Sequence, residues 1–253
     1  RGLFGVPAVF CFVGLNARET SMKNRLFAIA SLSAASLMPA AETAFADAIC
    51  GIDPDRVGVR YTVTERHDGD ESSYHIRVWR RGNQVAYVHE EKELTEIWDL
   101  VRDGRQKLIR YFDSYQRAIE YQPEDVESGA GQDAWSGRYQ VIADSELDSM
   151  SLEASDGQDC ELVQVLQHAD DARQTTVRWR PAWKIAEEIR NEQGDRTVTW
   201  RVDDLFTDAD RVDDEFTRRH RYHTIDFVDI GDNESDPFLQ KMIHLGFIEH
   251  KDH

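Results

Sequence analysis

The chain has no CxxC pair, no HExxH and no G-x-S-x-G elbow, so neither dithiol redox chemistry, zinc hydrolysis nor an α/β-hydrolase nucleophile is written in it. Basic residues are scarce, 30 Lys and Arg against 48 Asp and Glu for a net charge of −18, which disfavours nucleic acid and anionic membrane surfaces as partners. No apolar run approaches the roughly 20 residues of a spanning helix, and the early run from Leu3 to Leu15 falls well short. Gly129-Ala130-Gly131-Gln132-Asp133-Ala134 matches a dinucleotide-loop pattern but follows an acidic stretch instead of a strand, so it reads as a linker. No catalytic residue and no cofactor is expected.

What is present begins with a leader. Met22 opens MKNRLFAIASLSAASLMPAAETAFA, with Lys23 and Arg25 as the positive region, Leu26 to Leu37 as the apolar region and Ala44-Phe45-Ala46 as an A-x-A cleavage site. Residues 22–46 are thus expected to be a signal peptide of Gram-negative type. Residues 1–21 read as a translated upstream extension, and residues 47–253 as a single mature domain that starts at Asp47 and is periplasmic or secreted. Removing residues 1–46 takes away four positive charges (Arg1, Arg18, Lys23, Arg25) and two negative ones (Glu19, Glu42), moving the net charge from −18 to −20. The mature chain keeps Cys50 and Cys160, whose spacing fits no metal motif and whose compartment favours a disulfide. No transmembrane segment is expected in it.

From Ser72 to Gln122 the sequence reads as a meander of antiparallel hairpins, YHIRVWRR, QVAYVHEE, LTEIWDLV, QKLIRYFD and YQRAIEYQ, with turns at Gly82, Lys92-Glu93, Gly104 and Asp113-Ser114. An earlier strand spans Val57 to His67, where Val57, Val59, Tyr61 and Val63 alternate with polar residues. Trp135, Tyr139 and Ile142 form a helical stripe expected to lie on the sheet. ELVQVLQH, TTVRWRP and RTVTWRVDD are further strands, and residues 182–191 satisfy either period. A final helix has Asp236 as N-cap, Pro237 at its first position, Phe238, Leu239, Met242 and Ile243 as its apolar face, and Gly246 beyond its end, with Phe247 completing the cap. The fold class is therefore α+β, a large curved antiparallel sheet forming an incomplete barrel with helices packed on it.

This order of elements resembles the periplasmic lipoprotein-carrier and sigma-factor-regulator family known as LolA and RseB. The resemblance covers Val57 to about Asp204 and lies in pattern, not motif, so no functional residue is carried across. It implies a non-catalytic carrier or sensor for an apolar or lipidated ligand. The alternative is an envelope interaction or scaffold protein without a small ligand, and a hydrolase stands behind both. The segment from residue 224 to 247 lies outside the resemblance.

Three constellations remain. All six tryptophans, Trp79, Trp98, Trp135, Trp179, Trp183 and Trp200, fall in predicted elements and suit an aromatic core or the lining of an apolar cavity. His220, His223 and Asp226 are weak metal candidates, opposed by Arg218, Arg219 and Arg221, which favour a basic segment paired with the chain's own carboxylates. In the hairpin from Gln106 to Gln122, a tight turn at Asp113-Ser114 pairs Phe112 with Tyr115, Arg110 with Arg117 and Leu108 with Ile119. Opposed arginines call for an anion between them. An internal carboxylate or a lipid headgroup would serve, with Trp98, Phe112, Tyr115, Ile119 and Tyr121 as the ligand's apolar bed.

Overall fold

A computed structural model describes residues 50–126, 131–231 and 235–244. The upstream extension, the signal peptide, the start at Asp47, Gly129 and Ala130 of the dinucleotide-like stretch, Gly246 and Phe247 lie outside these residues.

The alternating pattern of the first strand sets the architecture. β1 (Arg56–His67) buries Val57, Val59, Tyr61 and Val63 on one side, called here the inner face, and turns Gly58, Arg60, Thr62 and Thr64 to the other. Asp68 and Gly69, both at positive φ (52° and 89°), close a two-residue hairpin into β2 (Asp70–Arg81). The meander continues through β3 (Gln84–His89), β4 (Leu94–Leu100), β5 (Gln106–Phe112) and β6 (Arg117–Tyr121). After two helices come β7 (Ser151–Asp156), β8 (Val163–Ala169), β9 (Gln174–Arg180), β10 (Ile185–Gln193) and β11 (Arg196–Phe206). Residues 182–191 are therefore strand from Ile185 onward, entered through a single 3-10 turn at Pro181–Trp183.

One twelve-stranded sheet results, in the order β12-β6-β5-β4-β3-β2-β1-β11-β10-β9-β8-β7. It is antiparallel except at β12 (His223–Asp226), which pairs parallel to β6. The sheet does not close. It curves: Arg80 of β2 donates to the carbonyls of Lys184 (2.9 Å) and Trp183 (3.0 Å), just before β10. β2 and β10 are three strand spacings apart, about 14 Å on a flat sheet, more than one side chain spans. Arg80 is 2% exposed with its guanidinium 5.3 Å from the Tyr139 ring centroid, and burial lowers its pKa.

Helices cover both faces. α1 (Gln132–Tyr139) and α2 (Asp144–Ser149) carry the chain from β6 to the far edge at β7, and Trp135, Tyr139 and, just past α1, Ile142 join the inner core. α3 (Ala209–Thr217), which the sequence reading did not anticipate, is capped by the Asp208 side chain accepting from Arg211 N (2.8 Å) and sets Val212 and Phe216 against Trp79 and Ala86 on the outer face. There the Trp79 ring lies over Gly58, where a Cβ would come within 2.3 Å of it. α4 (Pro237–His244) begins as expected, with Asp236 Oδ1 accepting from Phe238 N (2.8 Å), and buries Phe238, Leu239 and Met242 in the inner core. Cys50 and Cys160 form a disulfide, Cα to Cα 5.2 Å, tying the segment before β1 to the turn before β8. Among the described residues, no helix is long and apolar enough to cross a membrane.

Candidate ligand-binding face

β4, β5 and β6 present Leu94, Glu96 and Trp98, then Leu108, Arg110 and Phe112, then Arg117, Ile119 and Tyr121 to the inner side, as their spacing of two requires. The expected pairing across β5 and β6 is corrected. Phe112 stands opposite Arg117, Arg110 opposite Ile119 and Leu108 opposite Tyr121. The connection is not a tight turn at Asp113-Ser114 but a 3-10 turn at Asp113–Tyr115 closed by Gln116 in the left-handed region at φ 49°. The ladder shifts by two residues, which keeps each side chain on its face while changing its partner. Arg110 and Arg117 are not directly opposed.

Each arginine has its own carboxylate. Arg110 Nε lies 2.8 Å from Glu96 Oε1, with Nη1 3.4 Å from the Tyr121 hydroxyl and the guanidinium 5.1 Å from that ring's centroid. Glu96 is buried. Burial alone pushes its carboxyl up, but the His89 hydrogen bond and the charge of Arg110 outweigh it and hold the pKa down at about 2. Arg117 Nη2 reaches Asp236 Oδ2 (2.7 Å), and the hydrogen bond from Arg117 keeps the Asp236 carboxyl below its ordinary range.

The aromatics are met by the end of the chain. Phe238 lies 5.4 Å from Phe112 and 5.4 Å from Tyr115, centroid to centroid, with the Arg117 guanidinium 4.8 Å above its ring. Tyr121 stacks on Phe227 at 4.9 Å, burial raises its pKa, and Tyr115 is 39% exposed. Trp98 sits in the same core beneath the Arg138 guanidinium, 3.5 Å from its centroid, and Ile119 is fully buried. The structure thus gathers the predicted residues on one surface and adds four that the sequence did not link to it, Glu96, Phe227, Asp236 and Phe238. Glu96 carries a legible signal, a carboxylate at the apolar-face spacing between Leu94 and Trp98. Phe227 and Asp236 belong to the segment outside the resemblance.

The other candidates separate. His223 and Asp226, three apart on β12, point to opposite sides of the strand, and His220 is exposed in the turn before it, so no metal constellation forms there. The neighbouring arginines do pair with carboxylates: Arg219 with Asp113 (2.7 Å) and Glu215 (2.7 Å), and Arg218 with Glu215 (3.2 Å). Of the tryptophans, Trp98, Trp135, Trp179 and Trp200 lie in the inner core with Trp183 packed at its margin, while Trp79 belongs to the outer one.

No protein-family model matches the chain, and no curated relative matches it. Among solved structures it is similar to PNGF-II, at 8% identity and a TM-score of 0.38, covering 70% of this chain and 33% of that one, so the chain spans about a third of that structure. It is similar to a LolA-superfamily protein from Nitrosomonas europaea, at 14% identity and a TM-score of 0.30, covering 61% of this chain and 87% of that one. It is also similar to a chain of the Pseudomonas aeruginosa MucA/MucB complex, at 13% identity and a TM-score of 0.29, covering 66% of this chain and 57% of that one. No residue is carried over from these structures.

Proposed function

We propose that this is an exported, non-catalytic binding protein, a carrier or sensor whose inner sheet face takes an apolar or lipidated ligand with an anionic group. One observation carries this reading. Arg117 and the aromatic bed of Phe112, Tyr115 and Tyr121 already receive an anion and apolar groups from the chain itself, the Asp236 carboxylate with the Phe238 and Phe227 rings. A fatty acid or anionic lipid offers the same chemistry on one molecule, a headgroup for the guanidinium and a chain for the aromatics. The C-terminal segment then acts as the internal occupant that a ligand displaces. Export is supported by the leader-like stretch at residues 22–46 and by the disulfide.

The test uses the full chain and a fluorescent long-chain fatty acid. Asp236→Asn weakens the internal occupant and is expected to bind the probe more tightly than the parent, whereas Arg117→Gln, checked for an unchanged circular dichroism spectrum, is expected to lose it. Equal affinity in all three proteins, or none, sinks the reading.

A second reading, an interaction protein of the envelope, is favoured by β7. This strand ends the sheet with all six residues exposed, and Leu152, 57% exposed, continues an apolar row that runs from Trp200 through Ile189, Val177 and Leu166. Loss of probe binding together with retained capture of a membrane-protein fragment would select it.

A further inference from the structure

Two hairpin tips bring together side chains that the ligand-binding reading leaves unused. β1 and β2 turn at Asp68-Gly69, and β10 and β11 turn at Gly194-Asp195. Because β1 pairs with β11 as far as Arg66 opposite Thr197, the two tips lie side by side. There His67, Asp68 and Asp195 each offer one ligand atom, an imidazole nitrogen and two carboxylate oxygens, all within 4.8 Å of one another. His67 Nε2 lies 3.5 Å from Asp68 Oδ2, and Nδ1 lies 3.6 Å from Asp195 Oδ1. One carboxylate oxygen of Asp68 and one of Asp195 thus lie within 4.8 Å of each other.

Two carboxylates this close repel, and a cation between them relieves the repulsion. The arginines nearest in sequence are engaged elsewhere, Arg66 by Glu71 at 2.6 Å and Arg196 by Glu65 at 3.4 Å. We propose that the two tips form a binding site for a divalent transition-metal ion of the zinc type. The donor set decides the class: one imidazole with two carboxylates suits zinc, whereas calcium and magnesium take oxygen ligands. Three protein ligands leave the remaining positions to water, and side-chain exposures of 61–72% give the ion a direct approach. The pieces converge only in the folded sheet, so the ion binds the native state and clasps the β1–β2 hairpin to the β10–β11 hairpin.

The experiment is a calorimetric zinc titration of the metal-stripped full chain, with His244, His250 and His253 replaced by Gln to remove incidental imidazoles. The expected result is one equivalent of zinc, binding weakened at least tenfold by His67→Gln and by Asp195→Asn separately, no comparable heat with calcium or magnesium, and a zinc-dependent rise in Tm that both variants lose. All three ligands are exposed, so the variants should fold as the parent does. Zinc binding unchanged in both variants, the absence of zinc binding, or binding without a rise in Tm overturns the proposal.

Discussion

Arg60 stands directly across the β1–β2 ladder from Arg77, and Glu90 sits between them, Oε2 3.1 Å from Arg60 Nη2 and Oε1 2.8 Å from Arg77 Nε. The arrangement anticipated for Arg110 and Arg117 thus exists elsewhere on the sheet, solved by an internal carboxylate. The hydrogen bond from Arg60 lowers the Glu90 pKa. Glu90→Gln leaves two like charges opposed and should cost about 1 kcal/mol, a modest figure because all three groups are about a quarter exposed. Adding Arg77→Gln should recover most of the loss in urea denaturation. If the double variant is no better than the single one, the opposed charges are not the cause.

Acid stability should report Glu96. Its folded pKa, about 2, lies below the ordinary carboxylate value, so the stabilisation is present above that ordinary value and is lost as pH falls toward 2. The contribution is roughly 3 kcal/mol by linkage. Glu96→Gln removes the carboxylate from the partly buried Arg110 guanidinium, should cost about 3 kcal/mol at pH 7, and should flatten the acid limb of the stability curve. A variant whose acid limb superimposes on that of the parent would remove Glu96 from this role.

Reduction of the disulfide reopens a loop with a sequence separation of 110. The chain-entropy account puts its contribution at about 4 to 5 kcal/mol, so the midpoint of chemical unfolding should fall sharply in reductant. Cys50→Ser should reproduce the fall, and reductant should then have no further effect on that variant.

Phe238 and Leu239 belong to the inner core, at 6% and 0% exposure. Phe238→Ala should therefore cost about 3 to 5 kcal/mol, and truncation before Asp236 should lower Tm further. An unchanged Tm on truncation would mean that α4 is an appendage and not an occupant of the inner face.

The sequence determined the features that local chemistry enforces. Alternation at Val57, Val59, Tyr61 and Val63 assigns the faces of β1, Asp236-Pro237 caps α4, and an even cysteine pair outside a metal spacing becomes the Cys50–Cys160 bridge. A period of two likewise sets Phe112 on the face of Leu108 and Ile119 on the face of Tyr121, and the structure buries these residues with Trp98 in one core.

Tertiary structure decided what has no local signature. Gln116 takes a left-handed conformation usually left to glycine, and its neighbour Asp113 is held by Arg219 from far along the chain, so the register of β5 and β6 could not be read from the turn residues. β7 shows no alternation because both of its faces meet solvent, and α3 offers only Val212 and Phe216 as a stripe. The partners of the charged groups, Asp236 for Arg117, Glu90 for Arg60 and Arg77, and Asp195 beside His67, arise only when distant strands are laid together. A charge selects its counter-ion by distance in space, and that distance is a property of the folded sheet.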